Sequence, residues 1–230
     1  MTDTRPTLAV LGGTGAEGSG LAFRWAHAGH KVILGSRSAE KAVQAAGELN
    51  ALLGRQAVSG SDNLAAAREA EIVVLTVPYA AQRSTIEDVR TALVGKILID
   101  VTVPLVPPKV SRVQLPADGS AVASLQKHLG PEVRVVSAFQ NVSAHHLKDL
   151  HHDVECDVLV CSDDKEAAET AIGLAKAVGL RGIYAGPLAN SVVAEALTSV
   201  LIAINMRYKS PGAGIRITGV PGAPPKRPEH

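Results

Sequence analysis

Aromatic side chains are scarce in this chain: Phe, Trp and Tyr together make up 3% of its 230 residues. With 46% hydrophobic residues overall, the core has to be built from Val, Leu, Ile and Ala, the usual material of parallel strands covered by helices on both faces. Cysteine is nearly absent. The two present, Cys156 and Cys161, match neither a disulfide framework nor a zinc site, which favours a reduced cytoplasmic setting. An excess of either charge is missing too: 23 basic against 22 acidic residues leave +1, with no electrostatic footprint for nucleic acid or a membrane surface. The opening MTDTRPT lacks the basic-then-apolar segment of a secretory signal. The most apolar stretch, Val192 to Met206, is interrupted by Glu195, Thr198 and Asn205 and reads as too short for a bilayer. A soluble cytoplasmic protein is expected, with neither nucleic acid nor membrane as a partner.

What is present is a regular alternation. Leu8 to Leu11 is a short apolar run stopped by glycines, as a buried parallel strand would be. Leu21 to His27 reads as a helix closed by Gly29, and Lys31 to Leu34 as a second strand. An Ala-rich helix over Ala39 to Leu53 ends at Gly54. Strands are expected at Glu71 to Val77 and Lys96 to Val101, with a helix over Ala81 to Leu93 between them. Pro104 to Gly119, with four prolines, is a long loop. Strands at Val133 to Phe139, Asp157 to Cys161 and Arg181 to Ala185 follow, the last two flanking a helix from Lys165 to Val178. A long apolar helix covers roughly Asn190 to Met206, and Pro221 to His230 reads as a disordered tail. Strands alternating with helices of this length specify an α/β fold, a Rossmann-type doubly wound parallel sheet with right-handed crossovers.

The first strand leads directly into Gly13-Thr14-Gly15-Ala16-Glu17-Gly18 and then a helix. In a dinucleotide site the first glycine allows the tight turn, the second lets backbone approach a pyrophosphate, and the third allows close packing of helix on sheet. The helix start supplies unpaired N–H groups and a partial positive charge to the phosphates. An NAD site carries an acid about 20 residues further on, for the ribose 2′-hydroxyl. Here the second strand runs into Gly35-Ser36-Arg37, and no carboxylate occurs until Glu40. A hydroxyl and a guanidinium, with Lys41 one turn into the next helix, suit a 2′-phosphate, so NADP is the expected coenzyme. Thr76-Val77-Pro78 ends a strand at the carboxyl edge of the sheet, where it either shapes the cleft floor or merely terminates the strand.

Catalytic acids and bases are hard to find. No Tyr-x-x-x-Lys pair is present, and Tyr208 and Lys209 are adjacent. His145, His146, His151 and His152 lack carboxylates at triad or metal spacing and read as surface residues, so no metal is expected. Reducing a carbonyl needs a positioned proton donor. Hydride transfer between two flat heteroaromatic rings needs chiefly alignment and exclusion of water.

The opening AVLGGTGAEGSGLAFRWAHAGHKVILGSR resembles the NADPH-dependent reductases of the deazaflavin coenzyme F420. The likeness continues through LTVPYA, GKILIDVTVPL, VVSAFQNVSAHHL, DVLVCSDD, GPLANS and GAGIRITG, in order. It implies reversible hydride transfer between NADP(H) and coenzyme F420, in a homodimer of two-part subunits. The parts are an NADP-binding Rossmann domain at 1–154 and a small C-terminal α/β domain at 155–220, followed by the tail at 221–230. On this reading Gly13, Thr14, Gly15, Ala16 and Glu17 bind pyrophosphate and ribose, and Ser36, Arg37 and Lys41 take the 2′-phosphate. Val77, Pro78 and Ala138 bound the nicotinamide. Val103, Pro104, Gln140, Val142 and Ser143 line the acceptor pocket, with Leu201 or Ile204 reaching in from the long helix; that helix reads more readily as core or dimer interface than as part of the site. Thr198 fits the family pattern. Gln140, Val103, Val192 and Ala196 stand where family members commonly have His or Asn, Asn, Arg, and in some Ser. These departures leave two other readings: an NADPH-dependent reductase of an imine, a flavin or a metal chelate, and a non-catalytic NADP(H) sensor.

Overall fold

The structure, a computed structural model, describes residues 5–220, so the expected disordered tail lies outside the described residues. Six parallel strands form the main sheet: β1 (Leu8–Leu11), β2 (Val32–Ser36), β3 (Val58–Asp62), β4 (Ile72–Leu75), β5 (Ile97–Asp100) and β6 (Arg134–Ser137). Their spatial order, β3-β2-β1-β4-β5-β6, reverses between β1 and β4, the switch point where dinucleotides bind in such sheets. Helices α1 (Ala16–His27), α2 (Ala39–Leu53), α3 (Asn63–Glu69), α4 (Tyr79–Val89) and α5 (Ala121–Leu129) connect them.

Alternation along β1 shows why the strands are apolar throughout. Leu8 and Val10 join the core beneath α1 and α2, while Ala9 and Leu11 face the opposite core with α3 and α4 residues. Trp25 of α1 is fully buried, meets Phe139 edge-on at 5.7 Å and donates its indole N–H to Leu174 O at 2.9 Å.

A second pair of parallel strands, β7 (Asp157–Val160) and β8 (Arg181–Tyr184), flanks α6 (Lys165–Ala177). An antiparallel bridge between Ser137 and Cys161 joins it to the main sheet, and the α1-side core runs on into β7 and α6 without interruption.

The strand pattern held where runs were apolar and failed at β3. Its sequence, VSGSD, carries no apolar signal; it is an edge strand held by register with β2. Gly60 makes this possible, because a Cβ there would come within 2.3 Å of the Ala42 backbone in α2. Helix α1 begins at Ala16 rather than Leu21, since Gly18, Ser19 and Gly20 are buried helical residues. The last helix, α7 (Ser191–Tyr208), also exceeds expectation. With the turn before it, Leu188–Tyr208 spans 21 residues and contains an 18-residue window at mean hydropathy 1.5, long and apolar enough to cross a membrane by length and composition alone. The shortness inferred from the sequence is therefore corrected. What ties α7 to the sheet is Glu195, which accepts from Ser120 Oγ at 2.6 Å and from the N–H groups of Ala121 and Val122 at the start of α5. Burial holds the Glu195 carboxyl above its usual range despite these donors.

Candidate active site

The glycine loop leaves β1 at the switch point and is pinned to the end of β2. The N–H groups of Gly12 and Gly13 both donate to Gly35 O, at 3.0 and 3.2 Å, which places Ser36 and Arg37 next to the loop. On the other side Thr76 donates from its N–H and its hydroxyl to Leu11 O, each at 2.9 Å. The left-handed turn falls on Gly12 (φ 75°) rather than on Gly13, which corrects the division of labour read from the motif. Gly13 is buried for packing, since a Cβ there would stand 2.8 Å from Leu34 Cδ2. Gly18 admits no side chain, its Cβ position lying 2.4 Å from Thr76 Oγ1. Gly15 has only Gly12 O at 3.5 Å, leaving its outer face free for close approach.

Gly15 also precedes α1 without any side-chain cap, so the first-turn N–H groups point outward with the positive end of the helix. Thr14, Gly15 and Ala16 are exposed around them. Glu17 is half-buried, and burial pushes its carboxyl up to about 8, so it sits beside the anion site largely uncharged at neutral pH.

At the end of β2, Ser36 is half-buried, and Arg37 and Lys41 are exposed with no ion partner among the described residues. Ser38 caps α2 by accepting from the Lys41 N–H at 3.3 Å, which fixes the turn that carries both cations. Arg37 and Lys41 thus flank a hydroxyl, with Glu40 exposed on the first turn of α2. A phosphate on the ribose 2′-position fits this edge; the neighbouring carboxylate, Asp62 of β3 in register with Ser36, is engaged in capping α3, where it accepts from the Ala65 N–H at 2.8 Å.

Val77 packs over Gly12, and Pro78 starts α4 in an exposed position. Ala138 is fully buried and joins the core, so it is its backbone that is left to bound a nicotinamide. Phe139, next to it, has φ 72°, unusual for a bulky residue and a source of strain; its ring is held in the core by Trp25.

The structure differs most from expectation at Gln140. Its side chain is 2% exposed and turns inward, donating to Asp100 O at 2.7 Å, instead of facing an acceptor. Its own carbonyl accepts from the Thr198 hydroxyl at 2.7 Å, bringing α7 over the turn after β6. Val103 is half-buried beside buried Pro104, and Val142 is nearly buried. Leu201 lies in the interior while Ile204, three residues on, faces out, so the two do not share a surface. Ser143 opens onto a different space. It lines a cleft of about 690 Å³ with His146, His151, His152 and the C-terminal segment Pro211–Gly214.

The histidines stand on a short turn and a loop, not on one helix. His146 and His152 stack at 3.8 Å, and Arg24 clamps their segment through the carbonyls of His146, Leu147, Asp149 and His152. Among the described residues no group of three or more His, Cys, Asp or Glu is placed to hold a metal ion. Both cysteines are free and buried, and burial pushes the Cys161 thiol up to about 11. Sequence reading missed Gln82 and Asp100, because a lone Asp at a strand end and a Gln on a helix have no spacing signature.

Comparison with known proteins shows the family. Residues 7–104 match the family described as NADP oxidoreductase coenzyme F420-dependent. The chain is 43% identical over 221 residues to the F420-dependent NADP reductase of Methanocaldococcus jannaschii, covering 93% of this chain and 98% of that protein. It is 45% identical over 222 residues to the enzyme of the same name from Methanothermobacter marburgensis, covering 93% and 99%. A solved structure from Arthrobacter sp. fb24, provisionally described as an F420-dependent NADP-reductase, superposes with TM-score 0.76 at 25% identity over 93% of this chain and 99% of that one. With identity at this level over nearly the whole of these relatives, the chain belongs to the coenzyme F420-dependent NADP oxidoreductase family.

Proposed function

We propose that this protein transfers a hydride reversibly between NADP(H) and the deazaflavin coenzyme F420. The observation that carries this reading is the 43–45% identity to F420-dependent NADP reductases over nearly their entire length. The coenzyme edge supports it, since the uncapped start of α1 and the Ser36–Arg37–Lys41 edge suit a pyrophosphate and a 2′-phosphate. The dinucleotide supplies the hydride; the chain's residues bind, orient and exclude water. Thr14, Gly15 and Ala16 present backbone to the phosphates above Gly13, whose own N–H is held by Gly35 O, Glu17 stands beside them, and Ser36, Arg37 and Lys41 select the 2′-phosphate. Val77 and Pro78, with the backbone at Ala138, bound the nicotinamide face. The acceptor lies against Val103, Pro104 and the turn carrying Gln140, Val142 and Ser143. No side chain has to donate a proton at the reacting carbon, so holding the rings in register accounts for the rate.

We further propose a division into a coenzyme module at 1–154 and a smaller module at 155–220, working as a cytoplasmic homodimer. Support for the dimer comes from α7, where Val193, Val200 and Ile204 repeat on one exposed helical stripe. The deciding experiment is spectrophotometric: NADPH added to oxidised coenzyme F420 with catalytic protein should abolish the visible absorbance of the deazaflavin, and NADP+ added to the reduced form should restore it. No change in either direction overturns the reading and leaves reduction of an imine, flavin or metal chelate, or coenzyme sensing.

A further inference from the structure

Asp100 closes β5 with its side chain fully buried, and the hydride-transfer reading gives it no task. Its bonds lead to the acceptor side in three directions. Oδ2 accepts from Gln82 Nε2 of α4 at 2.6 Å, Oδ1 accepts from the Thr102 N–H at 2.8 Å, and the main-chain O accepts from Gln140 Nε2 at 2.7 Å. Through Gln140 O and the Thr198 hydroxyl the chain of bonds reaches α7. Two more polar atoms of this layer, Gln140 Oε1 and the hydroxyl of Ser137, are buried without a hydrogen-bond partner among the described residues; Ser137 is the register partner of Asp100. An aliphatic side chain would fill this place at lower cost than a carboxyl with unpaired neighbours. Packing therefore does not explain it. What the layer does achieve is to tie α4, the end of β5, the turn after β6 and α7 to one residue.

We propose that Asp100 is a positioning residue for the hydride acceptor. Its carboxylate fixes Val101–Pro104 through the Thr102 amide and anchors α4 through Gln82. Its carbonyl holds the Gln140 side chain inward, so that Val103 and the 140–142 turn offer one continuous surface to a flat acceptor ring. The inference rests on the assignment of these segments to the acceptor under the proposed function.

The experiment uses the full chain with Asp100→Leu, which keeps the branched shape with bulkier methyl groups and removes both carboxylate bonds, and Asp100→Asn, which keeps the volume and whose amide still accepts from Thr102 while Gln82 turns its own amide over. Steady-state kinetics should show the Michaelis constant for coenzyme F420 rising about tenfold in D100L, that for NADPH changing less than about twofold, and D100N recovering to within about threefold of wild type. Hydrogen–deuterium exchange, which needs no acceptor, should speed up in peptides covering 101–105 and 79–89, the two segments held by the carboxylate, and stay unchanged over 12–18. Both Michaelis constants rising together, exchange rising across the chain, or no effect at all would overturn the proposal. If D100L fails to fold, Gln82→Leu should move the same two readouts in the same direction, about threefold, and its silence would be equally fatal. Wild-type bleaching of coenzyme F420 is run alongside: its failure sinks the activity, whereas the exchange pattern alone decides the positioning.

Discussion

Replacing Arg37 by Glu is the sharpest probe of how the coenzyme is chosen. Arg37 is exposed, follows directly on β2 and has no ion partner among the described residues, so its removal breaks nothing in the fold. Surface changes of this kind stay within about 0.5 kcal/mol, or about 1–2 °C in melting temperature for a chain of this size. The loss should fall on binding. A charge-assisted bond from a guanidinium to a phosphate contributes about 1.5–3 kcal/mol. A carboxylate put in its place about 5 Å from a phosphate of nearly two negative charges adds about 1.5 kcal/mol of repulsion in a water-like dielectric. The sum, about 3–4.5 kcal/mol, raises the Michaelis constant for NADPH by about two to three orders of magnitude. NADH lacks the phosphate, and its constant should shift less than about threefold. The whole effect should shrink at high ionic strength, because the site is open to solvent. Initial rates with each coenzyme, at low and high salt, measure this directly. Equal proportional losses for NADPH and NADH, or a large fall in melting temperature, would refute the assignment of this edge to the 2′-phosphate.

Two glycines of the loop should separate fold from binding. Gly18→Ala sets a Cβ 2.4 Å from Thr76 Oγ1 and 3.0 Å from Gly13 Cα, so calorimetry should record a loss of about 1–3 kcal/mol. Gly15→Ala meets only Gly12 O at 3.5 Å, so it should leave the melting temperature unchanged while weakening NADPH binding in a titration. For Glu17, burial raises the carboxyl to about 8, so it is neutral below that pH and becomes a charge beside the phosphates above it. NADPH affinity should fall as pH rises through 8 in the wild type and stay flat in Glu17→Gln. The same shift makes native Glu17 harder to ionise than in the unfolded chain, so wild-type stability relative to Glu17→Gln should decline between pH 4.5 and 8. Sedimentation velocity should show a dimer for the wild type and a monomer for Val193→Lys with Val200→Lys, both positions being exposed on α7; a monomeric wild type would remove the dimer.

Much of the coenzyme half could be read directly along the chain, because its signals are local. An apolar run of four residues, three spaced glycines and a helix start are contiguous, and the strand end Ser36–Arg37 carries its own charge argument. Strands buried on both faces, such as Leu8–Leu11, declare themselves by composition. The edge strand Val58–Asp62 does not, since it is specified by register with β2 and by the space Gly60 leaves under α2. The acceptor side depends even more on tertiary structure. Gln140 turns inward because Asp100 O, 40 residues away, is there to accept its amide, and Thr198 caps its carbonyl from 58 residues away. His146 and His152, read from the sequence as surface residues, meet as a stack because Arg24 gathers their loop. Local pattern therefore determined the strands buried on both faces and the expectation of NADP, whose signals lie within one βαβ unit. Only the folded chain decided the floor of the proposed acceptor site, because its hydrogen bonds join residues that no sequence period relates.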